Sequence, residues 1–334
     1  MKSPDAQPNA RHSTIQSGHH PLCEEPMNRG PMEITMPQMN DADGEKPSDM
    51  PIEFSGSLTV EEAAEFARGA HRRLATVLGT DEAAALEKVR FMLTDMEMGV
   101  FLEETVKARA TDHAIRKLGL TFLLEPSTRS TLPYQEGAPY AFAAAVHPIP
   151  SMELDLETPI ELTEELRAEV APQRAKYVDA DEGAASPSLL SVSPKLEKHI
   201  LRALRARLTG TVSATLESAA FARENKAFHA ALEEDGETYR EYRIRTGKKP
   251  QEVEADLRRG AMRQLYDEIA LETIFHEQNL KVTPEDEAAI LHEMAPGREE
   301  ALRQELDNAG KLWMLAQKTR RAKALAWAID NLVR

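Results

Sequence analysis

The last third of the chain, Thr246 to Arg334, admits little besides a set of amphipathic helices, because residues suited to helix ends mark its boundaries. Gly247 and Pro250 form a turn signal ahead of a helical pattern that runs to about Gln278. Leu280-Lys281-Val282 then connects to a second helix. Thr283 can accept a hydrogen bond from first-turn amides, Pro284 suits the first helical position, and Glu285, Asp286 and Glu287 favour the positive end of the helix dipole. Pro296-Gly297 and Asn308-Ala309-Gly310 break the remainder into two further helices, the last running from Lys311 nearly to the C-terminus.

Upstream, from Pro194, the residues Leu196, Ile200, Leu204 and Leu208 repeat every four positions, and the pattern continues through Leu216, Ala220 and Phe228 with an interruption at Gly210. A helix continuous to about Glu233 would be about 60 Å long at about 1.5 Å per residue, longer than one compact core needs. Its narrow apolar stripe reads as the seam of a helix hairpin.

Residues 51–160 read differently, as a small α+β domain. Ile52, Phe54 and Leu58 alternate with polar residues as in a strand, and Thr59 with Glu61 and Glu62 starts a helix carrying Ala64, Phe66, Ala70 and Leu74. A helical region with Val89, Met92, Leu93, Met96, Val100, Leu102 and Val106 extends to Leu118, where Gly119 is a plausible stop. Met92, Met96 and Met98 read as core, with an adaptable binding surface as the alternative. Strands are expected at Thr121–Leu124 and Tyr140–Val146, the latter closed by Pro148 and Pro150. Residues 1–50, rich in Pro, Met, Asn, Asp and His and without periodicity, read as a disordered tail. Residues 161–193, acidic and then Pro/Ser/Gly-containing, read as a linker, and 194–334 as one helical domain.

Charge narrows the function classes. The 334-residue chain is 29% charged with a formal net charge of -15, which argues against direct nucleic-acid binding and against anionic membranes. No apolar run approaches the ~20 residues of a membrane span, and the first residues lack a signal-peptide core, so a cytoplasmic protein is expected. A single cysteine, Cys23, rules out an internal disulfide framework. His12, His19, His20 and Cys23 match no zinc spacing, and His276-Glu277 and His292-Glu293 lack the second histidine of a metal helix. With no phosphate loop and no nucleophile-base pair, no catalytic residue, cofactor or metal is expected.

Three segments taken in order carry a resemblance. "IFHEQNLKVTPEDEAAILHEM", a short acidic helix, an Asn-x-Gly turn and the closing "AKALAWAIDNLVR" resemble the C-terminal substrate-binding domain of bacterial trigger factor. "TFLLEPSTRSTLPYQEGAPYAFAAAVHPIPSMELD" resembles the strand-rich end of that family's N-terminal domain, and residues 192–250 resemble its long arm helix and the turn after it. The likeness covers roughly residues 52–334 and is strongest after 195.

The resemblance implies an α+β, mostly helical fold: a small N-terminal α+β domain and an elongated all-α C-terminal domain of the trigger factor type. It implies an ATP-independent chaperone, a holdase or foldase that binds unfolded or nascent polypeptides through apolar patches on a helical cradle. The chain departs from the family twice. The basic ribosome-docking loop Gly-Phe-Arg-x-Gly-x-x-Pro is replaced by the acidic Gly79-Thr80-Asp81-Glu82-Ala83-Ala84-Ala85, which RNA phosphate would repel, so usual docking to the ribosome is in doubt. The prolyl-isomerase domain, about 100 residues in the family, has only residues 161–193 in its place, with Tyr177 as the sole aromatic, so no isomerase is expected. The candidate client-binding residues are Tyr239, Tyr242, Met262, Tyr266, Phe275, Met294, Trp313 and Met314, with Trp327 read as core. They are expected around an acidic cleft favouring basic, apolar clients such as unassembled ribosomal proteins. The alternatives are a non-catalytic interaction protein whose cleft holds one fixed partner or its own homodimer, and a retained prolyl isomerase.

Overall fold

A computed structural model of the protein describes residues 32–36, 50–168 and 192–334. The N-terminal domain is a four-stranded antiparallel sheet in the order β1-β2-β4-β3, with β1 Glu33–Thr35, β2 Ile52–Leu58, β3 Ser127–Leu132 and β4 Tyr140–Val146. Strict alternation sets its faces. In β2 the residues Phe54, Gly56 and Leu58 are buried, and in β4 Tyr140, Phe142, Ala144 and Val146 are, with Phe54 opposite Ala144 and Leu58 opposite Tyr140. The buried face packs on α1 Val60–Leu78 and α3 Asp95–Leu118, which contribute Ala63, Ala67, Val106, Ala110 and Ala114. Thr59–Glu62 and Thr94–Glu97 close reciprocal capping boxes at the two helix starts. Between them α2, Glu82–Met92, begins at an Asp81 cap.

From Pro250 onward the helical part follows the boundaries read from the sequence. It comprises α4 Pro194–Arg207, α5 Ala214–Glu234, α6 Tyr239–Thr246, α7 Pro250–Glu277, α8 Pro284–Met294, α9 Glu299–Asn308 and α10 Leu312–Leu332. Thr283 caps α8 through the Asp286 amide, with Pro284 at its first turn. α7 is the axis of this part. Along one side it joins α4 and α10 in a core of Leu196, Ile200, Leu204, Ile274, Ala328 and Ile329; along another it joins α5 through Leu216, Ala220, Leu265 and Ile269.

Five expectations are corrected. The arm is not one helix: it breaks at β6, Leu208–Thr209, which pairs with β5, Glu153–Leu154, before Ser213 caps α5. Gly210 makes the break possible, because its φ of +132° is closed to L side chains and Met152 lies 3.2 Å from where a Cβ would stand. Thr121–Leu124 forms no strand. Phe122, Leu123 and Leu124 are all buried, which a one-sided strand cannot do; the Leu123 amide donates to His147, while the carbonyls of Phe122 and Leu123 accept from Gln317 and Arg321. The strand forms later, at β3, in a polar sequence that reads poorly because it lies at the sheet edge.

The other three concern exposure and boundaries. Met92 and Met96 are exposed, not core. Within 1–50, Met32 is buried and residues 33–35 pair with β2, so the sheet reaches into the segment read as a tail; its other residues, except Met36 and Met50, lie outside the described residues. Within 161–193, Leu162 and Leu166 enter the α4–α7–α10 core and residues 164–168 are helical, and just before the segment Ile160 bridges to Val333. Residues 169–191 lie outside the described residues.

Candidate functional site

A cleft of about 540 Å³ opens between α5, α7 and α10, with residues 123–125 at its edge. Helix periodicity decides which side chains reach it. On α7 the positions 264, 268 and 271 share one face, and on α10 the positions 314, 317, 318, 321 and 325 share another. Leu123, Leu271, Trp313, Met314 and Leu325 supply apolar wall. Met314 is 43% exposed, whereas Trp313 is half-buried against Phe122 at 5.5 Å between ring centroids.

Behind this wall runs a network of carboxylates and guanidiniums. Glu272, with no exposed side-chain surface, accepts from Arg320 Nε at 3.0 Å and Arg321 Nε at 3.1 Å. One turn earlier, Glu268 accepts from Arg223 Nη1 and Gln264 Nε2, each at 2.9 Å. Arg321 also donates Nη2 to the Leu123 carbonyl at 3.1 Å, which ties the cleft edge to α10. Arg223 Nε and Nη2 are buried without a hydrogen-bond partner among the described residues. Charges this deep are held by being paired, and the pairing fixes the rotamers that shape the cleft. The lining balances Glu125, Glu197, Glu268 and Glu293 against Arg223, Lys311, Lys318 and Arg321, so the expected acidic cleft is corrected to a charge-balanced one.

The eight candidate residues do not gather in one place. Trp313 and Met314 line the cleft. Tyr239 and Tyr242 form an aromatic cluster with Phe228 at the α5–α6 turn, with Phe228–Tyr242 centroids 5.0 Å apart and Arg245 above Tyr242. Met262 and Tyr266 sit in a shallow groove among Arg205, Arg258, Arg259 and Arg263, a basic rather than acidic setting. Burial pushes the Tyr266 hydroxyl above its ordinary range. Met294, at the end of α8, is exposed. Phe275 is buried in the α4–α7–α10 core and cannot meet a client, so that assignment is corrected: it lies in an α7 stretch, 268–275, that is buried throughout. Trp327 is half-buried against the same core.

Sequence reasoning missed Arg223, Glu268, Glu272, Arg320 and Arg321. The available signal was two glutamates, four residues apart, embedded in the apolar run "YDEIALETIF". Among the described residues no cluster of three or more His, Cys, Asp or Glu side chains could hold a metal ion, and no helix is long and apolar enough to cross a membrane. The arrangement offers apolar surface on a rigid charged support, which suits binding.

Residues 191–330 match the family model described as bacterial trigger factor protein (TF) C-terminus, somewhat less than half of the chain. No curated protein matches. One similar solved structure is described as "Promiscuous Substrate Recognition in Folding and Assembly Activities of the Trigger Factor Chaperone"; it is 12% identical, with 90% of this chain and 100% of that chain covered at a TM-score of 0.37, too low to carry an argument about arrangement. The helices that build the cleft lie within the matched residues but for the last two residues of α10, and that segment is similar to the C-terminal part of bacterial trigger factor.

Proposed function

We propose that the protein is an ATP-independent chaperone of the trigger factor type that holds unfolded or nascent polypeptides in the α5–α7–α10 cleft. The observation that carries this reading is that the family match spans α5, α7 and α10, whose exposed Met314 and neighbouring Trp313 give the cleft apolar wall. Each apolar patch binds weakly, at roughly 25 cal/mol per Å² less the ordering costs, and several patches on one frame act together. Methionine repacks readily, so such a surface accepts many sequences. No isomerase activity belongs to this reading, because residues 161–193 are too few for that domain.

The test is aggregation of chemically unfolded client proteins with and without the full chain. Suppression at near-stoichiometric ratios, with no acceleration of cis/trans exchange in a proline peptide, is the expected result. Unaltered aggregation of several different clients would sink the proposal.

A further inference from the structure

Ten large apolar side chains stand exposed among the described residues, and five of them, Val77, Phe91, Met92, Met96 and Val100, lie on the end of α1, on α2 and on the first turns of α3. Phe91 is 95% exposed and Met96 80%. Side chains so placed contribute almost nothing to the fold, since the stabilisation from burial scales with apolar area removed from water. Their own helices explain the exposure. α2 turns Ala85 and Val89 onto the domain and packs against α1, leaving Phe91 and Met92 outward. α3 buries no residue before Thr105, and Leu102 is the first that packs against the domain core, so residues 95–100 project beyond it. Met96 and Val100, one turn apart, share one face of α3, which Leu93 and Thr94 alone join to α2; with Phe91 and Met92 they make up the exposed apolar ridge of residues 91–100.

The surroundings select the partner. Residues 81–104 carry seven carboxylates against two cations. Asp81, Glu87, Asp95 and Glu97 are exposed and make no ion pair with a described residue. Hydrogen bonds from the backbone and side chain of Thr94 hold the Glu97 carboxyl below the usual range, so it is ionised at neutral pH. An apolar ridge rich in methionine and flanked by uncompensated carboxylates is complementary to an amphipathic helix with lysine or arginine beside its apolar stripe. It is the wrong sign for nucleic acid or for an anionic bilayer.

We propose that this projecting knob docks a basic amphipathic helix of another polypeptide, at a site separate from the α5–α7–α10 cleft. The probe is a fluorescent 18-residue Leu/Lys amphipathic helical peptide, with its Leu/Glu counterpart as control, titrated into the full chain. Phe91→Gln, Met92→Gln and Met96→Gln combined remove the ridge without touching the core, and Met314→Ala reports on the cleft. The Leu/Lys peptide should bind, weaken as salt rises, and lose at least about tenfold in affinity in the triple variant but not in Met314→Ala. The Leu/Glu peptide should not bind. Equal binding of both peptides, no binding at all, or unchanged affinity in the triple variant would overturn the proposal. Loss in Met314→Ala alone would place the peptide in the cleft and also overturn it. Sedimentation of the chain alone completes the test: a dimer abolished by the triple variant would assign the ridge to a second copy of this chain.

Discussion

The backbone amide of Trp313 donates to Asp112 Oδ1 across 2.9 Å, so a carboxylate of the N-terminal domain caps a helix of the C-terminal one. α10 needs the cap, since its own N-cap residue, Lys311, makes no side-chain cap hydrogen bond. Burial pushes the Asp112 carboxyl upward, while Arg116, paired at 2.9 Å, and the Trp313 amide pull the other way. Asp112→Ala leaves a helix-end donor unsatisfied and is expected to cost about 1–3 kcal/mol. Asp112→Asn keeps an acceptor and should fall between it and wild type. Urea unfolding of the three proteins checks this, and equal midpoints would show that the cap carries no stability.

Gly310 makes the second tie between the domains. Its φ is +64°, and an added Cβ would overlap the backbone of Ala108 and Arg109 on α3. Gly310→Ala therefore meets both a left-handed backbone penalty and a backbone clash, about 2–4 kcal/mol together. The clash cannot relax through a side-chain rotation, so the α9–α10 turn must lift off α3. Hydrogen exchange at the first turn of α10 should accelerate in this variant while the β2–β4 ladder stays protected.

Glu299 is expected to make stability acid-sensitive. His292 Nδ1, 2.6 Å away, and the Gly297 amide donate to its carboxylate and lower it to about 2 from an ordinary 4.5. A carboxyl depressed by folding stabilises above its unfolded pKa and loses that contribution as pH falls through the folded one. The wild type should therefore lose stability between about pH 4.5 and 2 by more than Glu299→Gln does. Parallel titration curves of unfolding midpoint for the two proteins would refute the assignment.

What could be read from the residues follows from what each signal encodes. The boundaries at Thr59, Gly119, Thr283 and Gly310 were legible because capping is local chemistry that works with few neighbours. Thr121–Leu124 was not, because its hydrogen bonds go to Gln317 and Arg321, almost two hundred positions away. The same limit applies to the cleft. Glu268 and Glu272 look like a solvated helix face until Arg223, Arg320 and Arg321 are brought to them by α5 and α10. Exposure at Phe91 and Met96 was equally hidden: an apolar stripe has one period whether a neighbouring element covers it or not.

The support beneath the cleft separates shape from contact. Glu272 touches no part of the open surface, yet it neutralises Arg320 and Arg321, so Glu272→Ala leaves the largely buried Arg320 guanidinium without its carboxylate and Arg321 with Glu268 alone. Removing one partner of such a group costs about 3–5 kcal/mol. Arg321 then loses a partner that orients it toward the Leu123 carbonyl, and the cleft edge loosens. Met314→Ala is the opposite case. Its side chain is exposed and not part of the network, so unfolding should stay within about 0.5 kcal/mol of wild type. If the cleft is where clients bind, Met314→Ala weakens suppression of client aggregation in a protein of normal stability. Glu272→Ala weakens it only together with a lowered unfolding midpoint. Measuring both quantities on both variants distinguishes a binding wall from its support, and a Met314→Ala protein with full activity would place client binding elsewhere on the chain.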